Sequence, residues 1–268
     1  MNSPISTIVK VELRQRKAYL LWWSVGIIAL IALTVLAYGS LKGQADQLNK
    51  ALSSLSSNIS GFVGTSDMFS PVGYLNSQLY FITLPILFII LSVTTASKLI
   101  GKEETGHTME LLLSRPISRS QLLIAKALSS TAIVAILGAV AATATIAFGI
   151  AINIGVSTAY IILTTLIMVL FSGAFGALAF MLYAAGSRTR GAAAAVAILF
   201  SLGGYILSSL SGMVHGLAWV AKLFPYHYYN PGKILTGHVS RGLIIYIAVL
   251  YIGSTIIALI AFRRRDIE

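Results

Sequence analysis

The chain reads as an all-α integral membrane protein of six transmembrane helices with both ends on the cytoplasmic side. Three observations carry that reading: an extreme apolar composition, six long stretches free of charge, and an uneven placement of Lys and Arg. Of 268 residues, 57% are hydrophobic and 10% are charged, and the mean hydropathy is +0.86. A soluble domain of this length needs a charged shell. Nineteen basic and eight acidic side chains, gathered into clusters, do not supply one.

About 20 apolar residues, each rising about 1.5 Å, cross a hydrocarbon core of about 30 Å. Six stretches meet that length, at 18–40, 74–97, 127–153, 159–185, 192–211 and 243–262, and none contains Asp, Glu, Lys or Arg. The first lies behind Lys10, Arg14, Arg16 and Lys17, but it runs past the length of a signal-peptide core and is read as a retained span.

Orientation follows from the basic residues, which resist translocation. The N-terminal arm, the segment from Lys98 to Lys126, the Arg188 and Arg190 loop and the group from Arg263 to Arg265 together hold fourteen of the nineteen. The opposite side holds the other five, Lys42, Lys50, Lys222, Lys233 and Arg241. Both termini are therefore assigned to the cytoplasm, and the 1–268 chain to a single membrane domain.

The net charge of +11 does not point to nucleic acid, because the basic residues flank apolar runs instead of forming a face on a soluble fold. Without cysteine the chain has no disulfide, thiolate metal site or cysteine nucleophile. The adjacent Glu103 and Glu104 and four histidines do not compose a metal centre. His215, His227 and His238 fall on the side opposite His107, and no His-Glu-x-x-His is present. No metal site is expected.

Three stretches outside the spans matter. In the arm (1–17), Ile5, Ile8, Val9, Glu12, Leu13 and Arg16 are spaced to put apolar groups on one helical face and charges on another. That pattern suits an interfacial helix; the alternative is a charged leader that only fixes topology. The outer loop at 41–73, rich in Ser and Gly, suits a short surface helix or lid, and its Asn58-Ile59-Ser60 sequon receives no role. The outer loop at 212–242 includes Trp219, Phe224, Pro225, Tyr226, Tyr228 and Tyr229. So apolar a loop is expected to dip back into the outer leaflet, provided protein covers its backbone, the alternative being an aromatic belt on a simple connector. Small residues such as Ser172, Gly173, Gly176, Gly203 and Gly204 suit close helix contact, either in a packed bundle or at a dimer seam.

The most polar run is 98–120, between the second and third spans. Thr105 or Thr108 can cap a helix start and Pro116 ends it, which predicts a short amphipathic helix. An acidic pair, then Gly and Thr, then Glu110-Leu-Leu-Leu-Ser114, then Arg115-Pro-Ile-Ser-Arg119, resembles the membrane subunits of type-2 ABC exporters. The six-span layout with its N-terminal helix is similar over nearly the whole chain. The resemblance implies that this segment is the coupling helix, with ATPase contacts at Glu103, Glu104, Gly106, Glu110, Leu111, Arg115 and Arg119. It also implies an outer re-entrant hairpin at Phe224, Pro225 and Tyr226, and the plasma membrane of a prokaryote as the location.

No Gly-x-x-x-x-Gly-Lys-Ser/Thr loop is present to cradle phosphates. The resemblance therefore puts ATP and Mg on a partner ATPase subunit, with no cofactor on this chain. It implies a second membrane subunit, identical or paralogous, and export of an apolar or amphipathic cargo such as a drug, an antimicrobial peptide or a lipid. The competing class is an ion-coupled secondary transporter. Such proteins keep ionisable groups in the membrane, and this reading would have to lean on neutral groups such as Asn153 and Thr83.

Overall fold

The computed structural model describes residues 4–53, 65, 67–105, 118–211 and 214–263. Its principal helices are α1 (Pro4–Gln15), α2 (Lys17–Leu41), α3 (Ala45–Ser53), α4 (Thr83–Thr105), α5 (Arg119–Ala151), α6 (Thr158–Ala185), α7 (Ser187–Leu210) and α8 (Arg241–Arg263). No strand occurs among the described residues. Among the described residues, six helical stretches are long and apolar enough to cross a membrane, and they correspond one to one with the six expected from the sequence. The sixfold pattern survives because backbone groups in hydrocarbon must be paired within the helix itself.

Helix α6 is the hub, packed by α4, α8, α7 and α5, while α2 lies against α5 at the periphery. The bundle closes tightly around α6 because its small residues admit neighbours. A Cβ on Gly176 would come within 2.6 Å of Ser92 Cβ and 3.2 Å of the Ser92 backbone carbon on α4. The small residues of the fourth span thus serve packing within the chain. Gly204 likewise faces Phe224 at 3.0 Å, whereas the Gly203 site has nothing within 4 Å.

Several boundaries differ from the sequence reading, each for a local reason. The third span opens at Arg119, ahead of the expected 127, because Ser118 and Gln121 form a reciprocal capping box: Gln121 N–H donates to Ser118 Oγ at 3.2 Å and Ser118 N–H to Gln121 Oε1 at 3.0 Å. Such a cap is worth about 1 kcal/mol, so Ser118→Ala should destabilise by about that amount in a denaturant titration in detergent. The span is therefore not free of charge, since it carries Lys126. At its far end Asn153 adopts the left-handed conformation (φ 51) that ends helices.

Thr105 does not begin a helix. It is the last residue of α4, which runs on past Gly101 through Lys102, Glu103 and Glu104, good helix formers that outweigh the glycine. The fifth span begins at Ser187 after a one-residue connection at Gly186, whose φ of 147 suits only glycine. Arg188 and Arg190 therefore lie in the first turns of α7 and not in a loop.

The second span is broken. One α-turn (Pro71–Tyr74) passes into a π-helical segment (Leu75–Tyr80), and α4 then starts at Thr83. Pro85 accounts for the break: it has no N–H to donate to the Phe81 carbonyl, and its ring crowds that carbonyl. Within the break, Phe81 N–H reaches back to Asn76 O at 2.8 Å.

Candidate functional site

Two regions gather the polar and aromatic chemistry, one at each end of the bundle. At the first end, α1 lies against α5 and joins α2 through the single residue Arg16. Ile8 and Leu13 of α1 pack on the core. The expected separation of faces is incomplete, because Glu12 shares the packed face and is only 9% exposed. Its carboxylate accepts from Lys126 Nζ of α5 at 2.5 Å and from Arg16 Nε at 3.3 Å. Lys126 itself is 4% exposed. Sequence reasoning placed both residues outside the membrane and paired neither. The sign of the pairing was legible only as one carboxylate in a basic arm.

The same end carries a second tie. Lys98 Nζ stands 5.1 Å from the centroid of the Tyr19 ring, and Tyr19 Oη lies 3.5 Å from Thr95 Oγ1. Lys98 and Lys126 bracket the 98–120 segment. Each root of that segment is thus held to the α1–α2 unit, one by a cation over an aromatic ring and the other by a buried ion pair.

Of the residues assigned to an ATPase contact, Glu103 and Glu104 fall in the last turn of α4 and Arg119 in the first turn of α5. Gly106, Glu110, Leu111 and Arg115 lie outside the described residues, as does the helix expected to end at Pro116.

At the opposite end, the segment before α8 is a chain of single helical turns, among them Ala218–Ala221, Pro225–Tyr228 and Pro231–Ile234. Its aromatic residues close over α6 and α7. The Tyr229 ring stacks on Phe171 (centroids 4.4 Å apart, 9° between planes), and Tyr226 meets Phe171 edge-on at 4.9 Å. Phe224 packs on Phe200 at 5.1 Å. Pro225, Tyr226 and Tyr229 are buried. Tyr229 Oη donates to Tyr80 O at 2.8 Å, satisfying a carbonyl of the π-helical break. Tyr80 Oη in turn pairs with Thr165 Oγ1 at 2.8 Å. Tyr229→Phe leaves that buried carbonyl without its donor and is expected to cost about 1–2 kcal/mol, measurable as a lower thermal midpoint in detergent.

Beside this cluster, burial and then the nearby Lys222 ammonium hold the His227 pKa below its ordinary value. Both effects disfavour the charged imidazolium. The loop at 41–73 forms the expected short helix, α3, whose Asn49 holds the Asp67 carboxylate and accepts from Phe69 N–H at 3.0 Å. Of the neutral groups named for an ion site, Asn153 ends α5, its carbonyl accepting from Lys42 Nζ at 2.5 Å, and Thr83 opens α4.

No curated protein matches the chain. The family model described as "ABC-2 family transporter protein" matches residues 6–267, which takes in α1, all six spans, the 98–120 segment and the aromatic end. With six membrane-length helices and this family matched over nearly its whole length, the chain is a multi-pass cell-membrane permease belonging to the ABC-2 transporter family.

Proposed function

We propose that the chain couples ATP hydrolysis on a separate ATPase subunit to efflux of an apolar or amphipathic substrate, in an assembly with a second membrane subunit, identical or paralogous. Family membership over 6–267 is the observation that carries this reading. Two features support it. The chain has no phosphate-cradling loop of its own. The 98–120 segment also springs from α4 and α5, two helices that contact the hub α6, and both of its roots are tied to α1 and α2.

In this mechanism the termini and the 98–120 segment face the cytoplasm. ATP draws two ATPase subunits together, and these pull on Glu103, Glu104, Gly106, Glu110, Leu111, Arg115 and Arg119. The pull reaches α1 through Glu12–Lys126 and α2 through Tyr19–Lys98, so the first three spans move as a unit. At the other end, Phe224, Pro225 and Tyr226 form a re-entrant outer hairpin. Its rings, packed against Phe171 and Phe200, must part or slide for cargo to leave.

Co-purification in mild detergent with the native ATPase tests the proposal. Wild type should retain an ATPase subunit and ATP-hydrolysing activity. A Glu103→Arg, Glu110→Arg double variant should lose both while, as the isolated membrane chain, keeping the elution volume and thermal midpoint of the isolated wild-type chain. If the ATPase remains bound to that variant, the assigned contact surface is wrong. If none accompanies the wild type, the coupling role itself fails.

A further inference from the structure

In the half of the bundle nearer α1, a cavity of about 200 Å³ lies between α4, α5, α6 and α8. It exists because α8 packs on α6 and only lightly on α5. Glycines shape its wall, since a Cβ on Gly173 would fall 2.0 Å from Tyr251 Oη and one on Gly176 would meet Ser92. No ionisable Asp, Glu, Lys, Arg or His lines it; its polar groups are hydroxyls. At its mouth Leu128 is exposed at the level of the lipid, and so is Thr131.

The hydroxyls are not equivalent. Many Ser and Thr hydroxyls in the spans close on the carbonyl one turn back, as Ser129 does on Ala125 O at 2.7 Å. Thr131 and Thr255 do the same, donating to Ala127 O at 3.1 Å and to Tyr251 O at 2.7 Å. Thr131 also meets the Tyr251 hydroxyl, so Thr255 Oγ1 is the threonine oxygen left to accept from a molecule in the cavity. Ser92, 1% exposed and lining the same cavity, has no hydrogen-bond partner for its Oγ among the described residues. A buried hydroxyl left unpaired is costly.

From this arrangement we infer that the cavity is a lipid-accessible binding site for the head of an uncharged, hydroxyl-bearing amphiphile, of the class of long-chain alcohols and monoacylglycerols. A ligand hydroxyl both accepts and donates, so it pairs with Ser92 on one side and with Thr255 on the other. A carboxylate offers no proton to Thr255 and brings a charge into an uncharged site. At about 200 Å³ the cavity is smaller than the roughly 300–1,000 Å³ that encloses a drug-sized ligand. It therefore holds a head group while the chain extends through the mouth beside Leu128. Binding here belongs to this chain alone and stands independently of the ATPase.

The test uses the full chain in phosphatidylcholine nanodiscs with a diazirine-bearing hexadecanol, its cross-links mapped by mass spectrometry. Saturable labelling within 124–134 or 173–180, displaced by unlabelled hexadecanol or monoolein and at least tenfold less by palmitate, is the expected result. Ser92→Ala should weaken saturation about fivefold, the size of one lost hydrogen bond. Leu128→Trp, which crowds the mouth from its exposed side, should abolish the saturable part at an unchanged thermal midpoint. Labelling spread evenly over the lipid-facing helices, equal displacement by palmitate, or wild-type saturation in both variants overturns the inference.

Discussion

Glu12→Leu should destabilise the protein by roughly 2–3 kcal/mol, and adding Lys126→Met should recover most of that loss. The single change removes the carboxylate from a lysine that is 4% exposed inside the third span. Breaking a buried pair from one side costs about 3–5 kcal/mol, whereas replacing both partners by apolar groups of similar volume is near neutral. The lower figure applies here because the pair lies at the end of the bundle, where the lysine stem can carry its ammonium toward water. Unfolding in a graded sodium dodecyl sulfate titration, run as a double-mutant cycle, gives the coupling directly. A single variant as stable as wild type would show that α1 is not anchored through this pair. On the coupling mechanism, the stable double variant should also bind the ATPase normally yet export more slowly, since the root of the 98–120 segment is no longer tied to α1.

Phe171→Ala should cost about 3 kcal/mol, and Leu170→Ala less than about 0.5 kcal/mol, although the two are adjacent on α6. Phe171 is fully buried and touches Phe175, Tyr226 and Tyr229, while Leu170 is 40% exposed. Lipid tails are as apolar as leucine, so exposure to them offers little drive to bury either side chain. The difference comes from packing: truncation at 171 opens a hole beneath three rings, and truncation at 170 is filled by lipid. Thermal midpoints in detergent compare the two. Equal effects would mean that the aromatic end of the bundle is not a packed unit.

The number of spans, their apolar cores and the position of the polar 98–120 run follow from the sequence alone, because the bilayer imposes one dominant rule. A helix long enough and free enough of charge crosses, and its backbone bonds close within it. Local rules reach a little further: the Ser118 and Gln121 box and the left-handed Asn153 are both short-range signals that define the true ends of α5. The aromatic character of the 212–242 loop was equally visible.

Only the tertiary structure decided which groups meet. Glu12 and Lys126 are far apart in the chain, and hydropathy assigned both to the charged flanks. Burial of the pair depends on α1 lying against α5, a contact that no local pattern encodes. Tyr229 donates to the carbonyl of Tyr80 only because Pro85 breaks the second span and the loop before α8 folds over that break. The unpaired Ser92 hydroxyl has the same origin. Serine in a helix normally satisfies itself locally, so its orphaned state, and the cavity it lines, arise from how four helices pack together. Composition and periodicity determine what lies in lipid; the pairing of distant polar groups inside it is a property of the assembled bundle.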